Sequence, residues 1–213
     1  LPILINIGER SYIAQDEGFY ALQAKWILDS GNWIAPLNWG DVLYDRTIGV
    51  QWLIAISQSI FGRTIGAAHF PSIICAIISL ILTYKISNIL IGKEYPLVSP
   101  CILCTTFLWV NYAHLATQDM PLLACELLGL FSLLKFDVER KRFWLFSMGI
   151  WIGPAILFKS VMVLIPLLCI TPYIFLYHKK VLGSRLLICS ILLGSTPFFL
   201  WIALSIHTYG LDN

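Results

Sequence analysis

From residue 64 onward, long apolar runs alternate with short polar breaks. The runs fall at 67–90, 97–115, 120–136, 143–158 with 161–177 close behind, and 186–206. Each approaches the ~20 apolar residues that a helix needs to cross the hydrocarbon core. The pattern therefore predicts five spans, or six if the close pair counts as two. Pro154, Pro166, Pro172 and Pro197 lie inside predicted helices, which a membrane bundle tolerates because neighbours and local adjustments satisfy the freed backbone groups. Residues 1–7 are apolar but too short to span, and read as the tail of a preceding helix or the remnant of processing.

The stretch 8–63 breaks this rhythm, being too polar to span and too aromatic for a free linker. Trp26, Trp33, Trp39 and Trp52 are half of the eight tryptophans, and such residues gather at headgroup level. Within it, 17–29 predicts a short amphipathic helix ending at Gly31, with Phe19, Leu22 and Trp26 on one face. A second, 48–61, places Trp52, Leu53, Ile56 and Ile60 at helical spacing, so both are expected to rest on the membrane. No internal repeat, low-complexity run or separate soluble domain interrupts the chain.

Composition sharpens this to an integral membrane protein: 58% of residues are hydrophobic and 12% charged, with a mean hydropathy of +0.79. No soluble domain hides that much apolar surface. A net charge of +2, with basic residues scattered, excludes a nucleic-acid partner. All six cysteines fall inside apolar runs and read as packing residues. Cys101 and Cys104 form a C-x-x-C without a second ligand pair, which implies no metal site.

The charges also give orientation. Lys85 and Lys93, then Lys135, Arg140, Lys141 and Arg142, then Lys179, Lys180 and Arg185 occupy alternate breaks, nine of the fourteen basic residues. By the positive-inside rule these breaks are cytoplasmic. The opposite side carries Arg10, Lys25, Arg46, Arg63 and Lys159. A multi-pass protein of the cell (inner or plasma) membrane is expected, with Asp16, Glu17, Asp45, Arg46, Asp119 and Lys159 gathered at its extracytoplasmic or periplasmic face.

Those residues sit in short motifs. Asp16-Glu17-Gly18-Phe19-Tyr20 opens the first predicted helix, followed by Ser30-Gly31-Asn32-Trp33, Pro36 and Tyr44-Asp45-Arg46; further on come Gln118-Asp119-Met120-Pro121-Leu122 and Leu157-Phe158-Lys159 with Pro166. In this order they resemble the outer catalytic loop, second acidic motif and lysine-bearing segment of the aminoarabinose transferases and protein O-mannosyltransferases, C-type (GT-C) glycosyltransferases. The resemblance implies sugar transfer from a polyprenyl-phosphate donor to a lipid acceptor, such as that of lipopolysaccharide, or to a protein, at the outer membrane face. Its catalytic residues would be Asp16, Glu17 and Asp119, and its donor-phosphate residues Arg46 and Lys159. Members are usually longer, so the chain is expected to be an N-terminal portion: one membrane domain over 1–213, with the catalytic loop at 8–63 and transmembrane helices over 64–213. Arg46-Thr47 departs from the family's usual Lys-Pro, keeping the charge but losing the rigid turn.

The residue chemistry agrees. Sugar transfer needs a base for the acceptor and cations for the departing phosphate. Asp16 or Glu17 suits the first; Arg46, with its bidentate fork, and Lys159 suit the second. Each also has a plainer reading: Asp16 and Asp119 as helix N-caps, Lys159 as a snorkelling lysine, and Glu126, two turns after Asp119, as an interhelical hydrogen-bonding group. The four histidines are dispersed and suggest no histidine metal site; whether carboxylates such as Asp45 or Asp119 hold a divalent cation stays open. The expected fold is an all-α polytopic helix bundle with an outer juxtamembrane helical loop. The alternative function is a transporter or flippase-like protein that binds a lipid-linked sugar without transferring it. That class favours paired repeats and helices broken at mid-membrane, and the sequence shows neither.

Overall fold

The computed structural model describes residues 8–9, 11–13, 16–35, 37–38, 41–42 and 46–210. The segment 1–7, the motif residues Pro36, Tyr44 and Asp45, and Arg10 and Trp39 lie outside the described residues. Helix α1, Glu17–Ser30, ends where Gly31 turns left-handed (φ 70°) and returns its N–H to the Ile27 carbonyl, the stop expected of glycine. A two-residue antiparallel hairpin, Leu37–Asn38 with Asp41–Val42, leads to α2, Gly49–Phe61. Then come α3 (Ile65–Leu90), α4 (Val98–Thr105), α5 (Phe107–Ala113), α6 (Asp119–Glu139) and α7 (Arg142–Lys159). A 3-10 turn, Ser160–Val163, joins α7 to α8 (Leu164–Tyr177), followed by α9 (Lys179–Leu182), α10 (Arg185–Gly194) and α11 (Thr196–Tyr209).

Helix α2 buries a mixed face, Gln51, Ser57 and Gln58 beside Val50, Ile54 and Ala55, while Ile56, Ile60 and Phe61 are exposed. Its buried Gln51 amide meets that of Gln23 on α1 at 2.7 Å, and the exposed apolar side chains are left for lipid. The same core holds Tyr20, Ala24 and Ile27 of α1, Val50, Ile54 and Ala55 of α2, Ala68 of α3, Leu157 of α7 and Trp201 of α11. The N-terminal loop is thereby packed onto α3, α7 and α11.

Helix α3 (26 residues, mean hydropathy 2.1) crosses a bilayer by length and composition, as does the apolar stretch Arg142–Tyr177. That stretch is folded back on itself at Ser160, whose φ is 45°. Ile174 near the end of α8 packs with Leu145 and Met148 near the start of α7, so the two arms run antiparallel, as the close pair of apolar runs suggests. The expected span 97–115 needs correction: it is two helices, broken where Thr106 is extended (ψ 116°). The hydroxyls of Thr105 and Thr106 both donate to the Ile102 carbonyl, at 2.9 and 3.0 Å. Such side-chain bonding competes with the helical ladder. Trp109 of α5 then anchors to α3 by donating to Ser79 Oγ at 3.0 Å.

The last helix pair is also bent, by 46° between α10 and α11, and α11 turns onto the N-terminal loop, where Trp201 donates to the Ile34 carbonyl at 2.7 Å. At the far end of the bundle, Asp137 receives the Tyr173 hydroxyl at 2.8 Å and pairs with Arg140 at 3.0 Å. This end carries the basic residues of the second predicted break, away from the N-terminal loop.

Helix α10 lies against α7 along Gly149 and Gly153, a G-x-x-x-G pair that meets Ser190 and Gly194. A Cβ on Gly153 would overlap the Gly194 carbonyl, so only glycine permits this approach. We expect Gly153→Ala to destabilise the bundle by about 1–3 kcal/mol, read as a lowered thermal unfolding midpoint in detergent, while Gly129→Ala, with open space around its Cβ position, leaves it unchanged.

Candidate functional site

Asp16 immediately precedes α1 but makes no side-chain capping bond. Its carboxylate, about half exposed, pairs instead with Arg46 at 2.9 Å. The guanidinium lies 4.8 Å from the centroid of the Tyr20 ring and 5.6 Å from that of Phe19, a cation–π arrangement that holds a charge while leaving its edge accessible. Burial pulls the Arg46 pKa down, but Tyr20 and Asp16 outweigh it and the net direction is up. Tyr20 is buried and its phenol receives the Gln118 side-chain amide. Burial pushes this phenol up to about 12 against the pull of Arg46, so it stays protonated at any working pH.

Gln118 leads directly to the second pair. Asp119, in the first turn of α6, bonds Lys159 at the last turn of α7, 2.5 Å apart. An acid at a helix start and a base at a helix end each complement the helix dipole. Asp119 likewise makes no capping bond of its own, since Gln118 holds the cap position without one. The Arg46 segment is fastened to the end of α7 as well: Thr47 Oγ1 donates to the Phe158 carbonyl at 3.1 Å. Three residues on from Arg46, a Cβ at Gly49 would collide with the Leu157 carbonyl.

Glu17, next to Asp16, faces the other way. It is 1% exposed and accepts three bonds: from the Ile13 N–H at 3.0 Å, the Ala116 N–H at 2.9 Å, and His69 Nε2 at 2.5 Å. Burial raises its pKa, yet the bonds from His69, Ala116 and Ile13 together outweigh that and hold the carboxyl below its ordinary range.

The structure therefore brings four of the five candidates into two acid–base pairs, Asp16–Arg46 and Asp119–Lys159, joined through Tyr20 and Gln118, and sets Glu17 into the core beneath them. Tyr20 and His69 do not stand out in the sequence as site residues. A signal for His69 is nonetheless present: a histidine one turn inside an apolar helix must have a buried partner. Glu126 sits apart, lining an apolar cavity between α6, α7 and α8 with Gly129, Met148, Trp151 and Val163. Among the described residues no three His, Cys, Asp or Glu side chains gather as a metal site.

An undecaprenyl phosphate-alpha-4-amino-4-deoxy-L-arabinose arabinosyl transferase of Proteus mirabilis is 28% identical over 95% of this chain and 38% of its own length. A like-named enzyme of Photorhabdus laumondii is 26% identical over 96% and 38%. The chain thus spans less than half the length of these relatives. The crystal structure of ArnT from Cupriavidus metallidurans bound to undecaprenyl phosphate superposes with a TM-score of 0.87 at 19% identity, over 99% of this chain and 40% of that one, which shows the same all-helical membrane fold. The family model for dolichyl-phosphate-mannose-protein mannosyltransferase matches residues 45–203, a span that contains Arg46, Asp119 and Lys159. On that match, the chain belongs to the dolichyl-phosphate-mannose-protein mannosyltransferase family.

Proposed function

We propose that this protein is a glycosyltransferase that moves a sugar from a polyprenyl-phosphate donor, of the undecaprenyl kind named for its relatives, to a cell-envelope acceptor. A lipopolysaccharide lipid is favoured over a protein as acceptor by analogy with the aminoarabinose transferases that the motifs resemble. The observation that carries the reading is the joining of the two acid–base pairs through Tyr20 and Gln118. Each pair is a cation held in reserve by a carboxylate. When the donor phosphate arrives, Arg46 and Lys159 turn to its oxygens, and the carboxylates lose their counter-ions. Asp16, the more exposed, accepts the proton of the acceptor hydroxyl. That oxygen bonds the anomeric carbon, the carbon–phosphate oxygen bond breaks, and the charge left on the polyprenyl phosphate rests on the two cations. Asp119 stands as the second candidate base. The polyprenyl tail remains in lipid throughout, which suits a site under an outward-apolar helix such as α2.

The test is transfer itself. Expressed from its complete reading frame and reconstituted in liposomes, the protein should release undecaprenyl phosphate and glycosylate a lipid A acceptor when given the aminoarabinose donor. Movement of intact donor across the bilayer without release of undecaprenyl phosphate would instead establish the transporter reading, whose motivation is the helix breaks at Thr106 and Ser195. The alternation of basic residues supports a site at the extracytoplasmic face. In a cysteine-free background, Lys25→Cys should react with a membrane-impermeant thiol reagent in intact cells and Val138→Cys should not; the reverse pattern inverts the topology and removes the site from the outer face.

A further inference from the structure

Glu17 belongs to the same motif as Asp16, and its surroundings give it a different task. A base must reach the proton it takes, at about 2.6–3.2 Å directly or through one water. Glu17 has no such access: it is buried and its oxygens are occupied by Ile13, Ala116 and His69. Those three donors come from three parts of the chain. Ile13 precedes α1, His69 is in the first turns of α3, and Ala116 lies in the link between α5 and α6. One residue from Glu17 is Asp16; three residues from Ala116 is Asp119. The carboxylate therefore ties the backbone that carries the first acid–base pair to the backbone that carries the second.

We propose that Glu17, held by His69, is a positioning residue that fixes the spacing between the Asp16–Arg46 pair and the Asp119–Lys159 pair. This rests on the reading that these pairs share one donor phosphate. The bridge suits the purpose because a buried carboxylate with three donors is satisfied in one geometry only, and leaving any donor unpaired is costly. His69 is itself seated: the Tyr12 ring meets it edge-on at 6.1 Å, and α3 begins at a Thr64 cap that accepts from the Ala67 N–H at 3.1 Å. The Gln118–Tyr20 bond runs beside the bridge and closes the same gap from the side-chain direction.

The experiment uses Glu17→Gln, His69→Gln and the double variant in the complete protein, with two readouts. One is hydrogen–deuterium exchange; the other is the affinity for undecaprenyl phosphate, which needs no turnover. Glu17→Gln keeps size and one accepting oxygen but turns an amide donor towards a backbone donor. Either single variant should raise exchange in 12–20 and 114–118 by about tenfold or more, leave 142–159 and 185–194 protected, and weaken undecaprenyl phosphate binding. The double variant should be no worse than the more severe single one, because both break the same bridge. Loss of transfer in Glu17→Gln with exchange and binding unchanged would make Glu17 a base and overturn the proposal. A rise in exchange across α7 and α10 as well would make the pair a general stabiliser of the bundle, and would overturn it equally. If the unaltered protein binds undecaprenyl phosphate but transfers no sugar, the proposed activity fails while the bridge is still decided by exchange and binding.

Discussion

Asp16→Asn is expected to lower sugar transfer by about 10²–10⁴-fold, the usual contribution of general-base assistance, while expression and donor binding stay close to normal. The structure narrows this expectation by removing the competing explanation. A capping aspartate would lose about 1 kcal/mol of stability when its cap is broken, but Asp16 makes no capping bond. What the substitution removes structurally is an exposed pair with Arg46, and such pairs contribute only about 0–1 kcal/mol. A large loss of turnover in a normally folded protein therefore reports on the proton, not on the helix. Tyr20 is no substitute base, since its phenol holds its proton up to about 12. Initial rates with saturating undecaprenyl-linked donor, beside direct measurement of undecaprenyl phosphate binding, separate the two effects. Turnover within a few-fold of the unaltered protein would pass the role of base to Asp119.

The helices are legible in the sequence where apolar length alone decides them. Residues 67–90 fall inside α3, which is long and apolar enough to cross a bilayer, and 120–136 inside α6, and the close pair of runs foretells the reversal at Ser160. The break at Thr106 is not legible, because hydropathy does not register a hydroxyl that bonds a carbonyl four residues back. Helices α1 and α2 follow from amphipathic spacing and the Gly31 stop. Their inward faces do not: an amide pair such as Gln23–Gln51 looks polar and exposed in sequence, and only the fold shows it buried.

The candidate site is legible as a set of residues and not as a set of bonds. Motif order and alternation of charge put Asp16, Arg46, Asp119 and Lys159 at one end. Which acid meets which cation depends on where Thr47 and Gly49 press the Arg46 segment onto the end of α7. The adjacent acids Asp16 and Glu17 are indistinguishable in sequence because both fit a base. Their separation follows from helix geometry: one residue is a rotation of about 100°, enough to turn one carboxylate out to Arg46 and the other in to His69.

Arg46→Ala is expected to cost about 10²–10³-fold in transfer, comparable to removing one preorganised donor from a developing anion, and Arg46→Lys should be markedly milder. Lysine keeps a charge for the phosphate but loses the planar fork and most of the stacking over Tyr20 and Phe19. The pairing with Asp16 complicates the single variant, because alanine also strips that carboxylate of its counter-ion and changes the basicity of the proposed base. The double variant Asp16→Asn/Arg46→Ala resolves this. If Arg46 acts on the departing phosphate, its removal should weaken undecaprenyl phosphate binding in the Asp16→Asn background as much as in the unaltered protein, since that contact does not pass through Asp16. If Arg46 serves only to hold Asp16, its loss should have no further effect on binding once Asp16 is an amide. The relative order of lysine and alanine gives a second check: equal losses in both would mean that the bidentate geometry, and not the charge, carries the contact, and that the family's usual lysine at this place works through a differently shaped turn.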